Sequence, residues 1–215
     1  MKKLLSFIPY LLALLLLNTV EAAIINISPK DDLQKQLDLA NSGDQLFLEA
    51  GLYQGNFVIN KSLELHGKPG AILDGNAQGH SLKINAPNVH VHHLKIQNWG
   101  HNLTTVDAGI FINTTAEHSQ ISNNDLFGDC FGIWVEATPN VTLLNNRIKG
   151  NEKVRSTDRG NGIHLYQVTG ALVKDNEVWH TRDGIYIETS NGNELNGNYL
   201  HDLRYGIHYM YSYSN

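Results

Sequence analysis

The chain has 215 residues, 41% of them hydrophobic and 17% charged, with a formal net charge of −5, 19 glycines and one cysteine. That length suffices for a sizeable buried core. The acidic balance argues against a nucleic-acid partner, and a lone Cys130 excludes an internal disulfide, so the fold must be held by packing.

Lys2 and Lys3 precede an apolar run from Leu4 to Leu17, and Val20-Glu21-Ala22 offers small residues where a signal peptidase reads. Residues 1–22 are therefore expected to be a cleaved signal peptide, since the run falls short of the roughly 20 residues that span a bilayer. Removing Lys2, Lys3 and Glu21 leaves 14 basic and 20 acidic residues. Leader, acidic balance and lack of disulfides together predict a periplasmic protein, with residues 23–215 as its folded part.

Next, SPKDDLQKQLDLA reads as a short helix, with Ser28 as N-cap, Pro29 in the first turn and Leu33 and Leu37 on one face. It would lid the first coil of a stack. Up to residue 108 the pieces LFLEA, FVI, SLEL, AIL, SLKI and VHVHHLKI alternate apolar residues at a strand period, separated by turn signals such as HGKPG and DGNAQG. In HVHH, His90 and His92 share a strand face as a metal pair would, although a solvated strand edge gives the same pattern and no carboxylate lies near in sequence.

From Gly109 a repeat takes over. Gly-Ile-x-aliphatic recurs as GIFI, GIWV, GIHL, GIYI and GIHY, at Gly109, Gly132, Gly162, Gly184 and Gly206, with separations of 23, 30, 22 and 22 residues. The long interval accommodates an outward loop in NEKVRSTDR, residues 151–159. Aligned on the glycine, residues 110, 133, 163, 185 and 207 are all Ile, and 112, 135, 165 and 187 are aliphatic. Ile121, Leu143, Val173 and Leu195 form a third apolar column, Leu126, Ile148, Val178 and Leu200 a fourth, and Asn124, Asn146, Asn176 and Asn198 an asparagine ladder. Strands that cannot fold alone but pair in parallel with the next coil predict an all-β, right-handed, single-stranded parallel β-helix, with an N-terminal capping helix. A leucine-rich repeat fits less well, because linkers such as ETSNGNELNGN resist helix. Gly206 opens a coil that stops after one strand, so the C-terminus is expected to be uncapped, as in a fragment or truncated product.

Residues two and four after each glycine should face outward. They give Phe111, Trp134, His164, Tyr186 and His208 in one file, and Asn113, Glu136, Tyr166, Glu188 and Met210 in the next. Aromatic stacking along a sheet accounts for such a strip; so does a binding face for sugar, protein or a soft ion. Glu136 and Glu188, two coils apart at about 4.8 Å per coil, reach the outer limit of the roughly 5–9.5 Å that paired glycosidase carboxylates need. Cys130, at a coil corner, is read as incidental.

The strings DRGNGIHLYQ, TRDGIYIETSN and LRYGIHYMYS, with GDQLFLEAGLYQG, VINKSLELHGKPGAILDG and VDAGIFI ahead of them, resemble the NosD family over nearly the whole chain after the leader. The resemblance implies a periplasmic accessory protein for maturation of nitrous oxide reductase, without enzymatic activity. Such a protein works with an ABC transporter (NosY and NosF) and the copper lipoprotein NosL, and approaches the membrane only through them. It also implies transient Cu(I) as cargo. The expected partner- or ligand-binding face is Phe111, Trp134, His164, Tyr166, Tyr186, Glu188, His208 and Met210. His208 and Met210 are its candidate copper ligands, with His164 as a third, although these residues also simply continue the strip. Family members run to about twice this length. The alternative function is a carbohydrate-active β-helix enzyme or a polysaccharide-binding module.

Overall fold

The computed structural model describes residues 21–215; the expected signal peptide lies almost wholly outside them. Three parallel sheets run the length of the molecule. The first contains eight strands, from Ile24–Ile27 to Glu194–Asn196, and the second seven, from Gly51–Gln54 to Tyr199–His201. The third also has seven: Phe57–Ile59, Leu82–Ile84, Ala108–Ile112, Phe131–Glu136, Ile163–Tyr166, Asp183–Glu188 and Tyr205–Met210. Each full coil contributes one strand to each sheet. The result is the expected parallel β-helix of about eight turns.

The register stacks equal positions directly. Ile110 pairs with Ile133, Ile133 with Ile163, Ile163 with Ile185 and Ile185 with Ile207. Ile110, Ile133, Ile163 and Ile185 are fully buried, as are Ile112, Val135, Leu165 and Ile187. In the last strand of the column, Ile207 is half-exposed. The third and fourth apolar columns pair in the same way.

The asparagine ladder explains how a buried bend keeps its polar groups satisfied. Asn146 Oδ1 accepts the backbone N–H and side-chain amide of Asn124 at 3.2 and 3.0 Å, while Asn146 donates in the same two ways to Asn176 Oδ1. Asn176 repeats the pattern onto Asn198. The second amide hydrogen of Asn146 goes to the carbonyl of Ile121. A buried peptide group that cannot join a sheet is thus paired through a side chain of the next coil.

Two expectations are corrected. The helix spans Leu33–Leu39, and its N-cap is Asp32, whose Oδ1 accepts the Lys35 N–H at 3.0 Å. Ser28 instead closes a turn with Asp31, and that turn takes Pro29 out of the helix. Leu33 and Leu37 are buried as expected, and Gln34 both accepts from the Val58 N–H and donates to the Val58 carbonyl. Val58 lies in the first strand of the third sheet, so the helix satisfies an edge that would otherwise stand open. The strands Ile24–Ile27 and Gly51–Gln54 were also absent from the sequence-based elements. The insertion at residues 151–159 is an outward loop containing a 3-10 turn, Ser156–Asp158. No helix among the described residues is long and apolar enough to cross a membrane.

Candidate functional site

Trp134, His164, Tyr186 and His208 occupy consecutive rungs of the third sheet. Their rings stack in file, with centroids 4.0 Å apart from Trp134 to His164, 4.6 Å from His164 to Tyr186 and 4.4 Å from Tyr186 to His208. The file points away from the β-helix interior, but its first members are not exposed. Phe111, Trp134 and His164 are 8%, 7% and 5% accessible. The outward strip expected from the repeat is therefore covered over its first three members. Leu103 and Val106 from one loop, and Gly160 and Asn161 from the end of the insertion, wall this face into a cleft of about 340 Å³. Period 2 fixes which way a side chain leaves the strand; it carries no information about loops that fold back over it.

The cleft brings together Trp134, His164, Tyr186, Glu188 and His208, joined by Arg182 and Arg204. Three of the expected residues lie outside it. Phe111 stacks on His80 further along the file, and Tyr166 and Met210 sit in the neighbouring column with Glu136 and Glu188.

His164 is fixed at both nitrogens. The Asn161 side-chain amide is 3.2 Å from Nδ1 and donates to it, so Nε2 carries the hydrogen and donates to Glu188 Oε2 at 3.1 Å. Burial pushes its pKa down to about 3. The contact with Glu188 is therefore a hydrogen bond from a neutral ring at pH 7, not an ion pair. As a copper ligand, His164 would have to give up one of these two bonds.

His208 is held differently. Fully buried Asp183 receives Arg204 Nε at 2.8 Å and Nη2 at 2.6 Å, and His208 Nδ1 lies 2.9 Å from its Oδ2. Burial raises the Asp183 carboxyl, but the hydrogen bonds from Arg204 and His208 outweigh it and hold the group below its ordinary range. Nδ1 also lies 3.2 Å from Arg204 Nη2, which only donates, but the shorter contact is to an ionised carboxylate that only accepts; the tautomer with the hydrogen on Nδ1 satisfies that contact and leaves Nε2 its lone pair. Carboxylate-oriented imidazoles of this kind are what metal sites use. Met210 follows two residues later on the same strand side, so a thioether and an oriented imidazole share one face.

Asp183 falls within the family string TRDGIYIETSN, but sequence reasoning gave it no role. Its signal was present: one residue before the repeat glycine, the other coils carry Ala108, Phe131, Asn161 and Tyr205, and only this coil carries a charge. Glu136, the other carboxylate weighed for catalysis, accepts the Trp134 indole N–H at 2.6 Å. Cys130 is buried, and its thiol is pushed up to about 12 by desolvation, as suits a packing residue.

Comparison with known proteins places this architecture. The model of a family described as "Periplasmic copper-binding protein (NosD)" matches residues 144–215, the span that holds His164, Asp183, His208 and Met210. A "Probable ABC transporter binding protein NosD" from Pseudomonas aeruginosa is 48% identical over 175 residues, which is 81% of this chain and 39% of that protein. One of the same name from Stutzerimonas stutzeri is 49% identical over 137 residues, 64% of this chain and 31% of the relative. The chain thus spans well under half the length of these two. A shorter Pseudomonas aeruginosa protein of that name is 38% identical over 73 residues, 34% of this chain, and 67% of its length is covered. Among solved structures, an alginate lyase from a Paenibacillus species superposes with a TM-score of 0.62 at 15% identity, over 80% of this chain and 75% of the lyase. Pectate lyase Pel9A gives 0.60 at 15%, over 82% and 55%. Those two likenesses describe the fold alone. With one relative 38% identical over 67% of its own length, two longer ones identical at close to half of the aligned positions, and the repeat strings stacked in the register they require, the chain belongs to the NosD family.

Proposed function

We propose that the chain is part of a periplasmic accessory protein that receives Cu(I) on the third-sheet face, at the His208 edge of the walled cleft, and passes it on during maturation of nitrous oxide reductase. NosY and NosF are the transporter partners in this reading, and NosL the donor. The signal peptide at residues 1–22 would deliver the protein to the periplasm. The observation that carries the reading is the Asp183–His208 pair, with its free Nε2, beside Met210. Imidazole and thioether together form a soft donor set that favours Cu(I) over hard ions. His164 would join only as a third ligand released from Asn161 or Glu188, and the aromatic file would serve as docking surface for the protein that takes the ion.

Binding without bond-making chemistry is favoured because both outward carboxylates, Glu136 and Glu188, are engaged by neighbouring N–H groups and stand two rungs apart. Anaerobic titration against a Cu(I) chelator tests the site. The wild-type chain should retain one Cu(I) on this face, and His208→Ala/Met210→Ala should lose it; equal retention by both proteins would remove the site from consideration. Release of unsaturated or reducing-end products from uronate polymers, abolished by Glu136→Gln/Glu188→Gln, would instead establish the carbohydrate-active reading.

A further inference from the structure

A second group of donors lies on a different sheet, outside the span matched by the family model. In the first sheet Glu64 stacks on His90, and His66 stacks on His92. The ring of His66 packs edge-on to His92 at 4.4 Å and face-on to His93 at 5.2 Å. One ring nitrogen from each of His66, His92 and His93 lies within 4.8 Å of those of the other two. We propose that these three imidazoles bind one borderline divalent transition ion, Zn(II) or Cu(II), with Glu64 as a positioning residue.

Hydrogen bonding sets the orientation. His92 Nε2 lies 2.8 Å from Glu64 Oε1, and the carboxylate can only accept, so Nδ1 of neutral His92 presents its lone pair. Nδ1 of His93 is 2.7 Å from that atom. His93 Nδ1–H therefore donates to His92 Nδ1, and an ion entering between the two rings takes the place of that proton, which leaves to solvent, while the far side of the His92 ring is held by the carboxylate. This is the carboxylate–histidine arrangement that orients metal ligands. Tetrahedral sites with metal–nitrogen bonds of about 2.0–2.1 Å place their donors roughly 3.3 Å apart, so rotamer-scale opening admits an ion. His66 and His93 also line a cleft of about 510 Å³, which supplies a path in and room for a water ligand.

The residue type at His93, though not its backbone, departs from the later coils. The backbone turns with φ +57°, and the equivalent corners of later coils, Asn123, Asn145, Asp175 and Gly197, do the same at +53° to +65°. Those corners use residue types that favour the left-handed region. Only the coil that also carries His92 puts an imidazole there. Glu64 itself comes from the preceding coil, so no reading of nearby sequence around HVHH could find the carboxylate.

The test uses the whole chain, stripped with EDTA and titrated with Zn(II) and, separately, Cu(II) against a chromophoric chelator. His208→Ala/Met210→Ala serves as background, to keep the cleft of the third sheet out of the measurement. One equivalent should bind in that background. Adding His93→Asn, which installs the residue found at two later corners, or His66→Gln should weaken binding at least tenfold without moving the melting point of the metal-free protein. The Cu(II) paramagnetic resonance spectrum should show three coupled nitrogens, falling to two in His93→Asn. Glu64→Gln should weaken binding about 10- to 100-fold while the count stays at three. No retained ion in the background protein, or equal binding by it and by the His66 and His93 variants, would overturn the proposal and leave a hydrogen-bonded surface chain.

Discussion

At His164, a ring that strand periodicity turns outward is nonetheless dry, and its titration follows from that. The unfolded ring takes a proton near its ordinary 6.5, the folded ring only near about 3, so protonation favours the unfolded chain. The stability gained from the neutral buried ring is complete above pH 6.5. It falls by up to about 1.4 kcal/mol per pH unit as pH drops toward 3. Urea unfolding between pH 7 and pH 4 should show this slope, and His164→Phe, which keeps the stack but cannot titrate, should flatten it; equal slopes in both proteins would contradict the assignment. Of the residues in this cleft, Trp134, His164, Tyr186 and His208 were legible because all obey one register. Asp183 was not, because a single charge in an otherwise mixed column gains meaning only when Arg204 and His208 are seen to converge on it.

Among the structural elements, the asparagine ladder links sequence to fold most directly, since one side-chain oxygen satisfies two donors of the coil below. Asn146→Ala removes that acceptor from Asn124 and a donor from Asn176 and Ile121, all in a buried bend. With about 1–3 kcal/mol for each buried group left unpaired, a loss of roughly 3–4 kcal/mol is expected in equilibrium unfolding. The exposed rung control Glu194→Ala should stay within about 0.5 kcal/mol; similar small losses for both would mean that the ladder decorates the bend without holding it. The ladder and the four apolar columns were readable because each repeats in register. The helix start was not, because Ser28 and Asp32 both qualify as caps; tertiary pairing of Gln34 with Val58, invisible in local sequence, accompanies the later start. Ile24–Ile27 escaped notice because it directly follows the expected leader, and Gly51–Gln54 because it opens on a glycine and offers only Leu52 and Tyr53 as apolar residues.

For the molecule as a whole, the regular stack is a ruler and the irregular loops make the site. Repetition dictates that the rings stand in file. The loops carrying Leu103, Val106 and Asn161 decide that the file becomes the floor of a cleft, and they have no period from which this could be read. The same holds for the His66–His92–His93 corner, where two coils and a left-handed turn assemble donors that sequence spacing separates. The central claim is that the third-sheet face offers copper a thioether together with an oriented imidazole, and sulfur is the element that distinguishes it. Apart from Met1, Met210 is the chain's one thioether, and Cys130 is buried with its thiol held protonated. X-ray absorption at the copper edge of the Cu(I)-loaded chain should therefore show a sulfur shell beside imidazole scattering, and the sulfur shell should vanish in Met210→Leu. A wild-type spectrum with nitrogen neighbours alone, or a sulfur shell that survives Met210→Leu, would contradict the account.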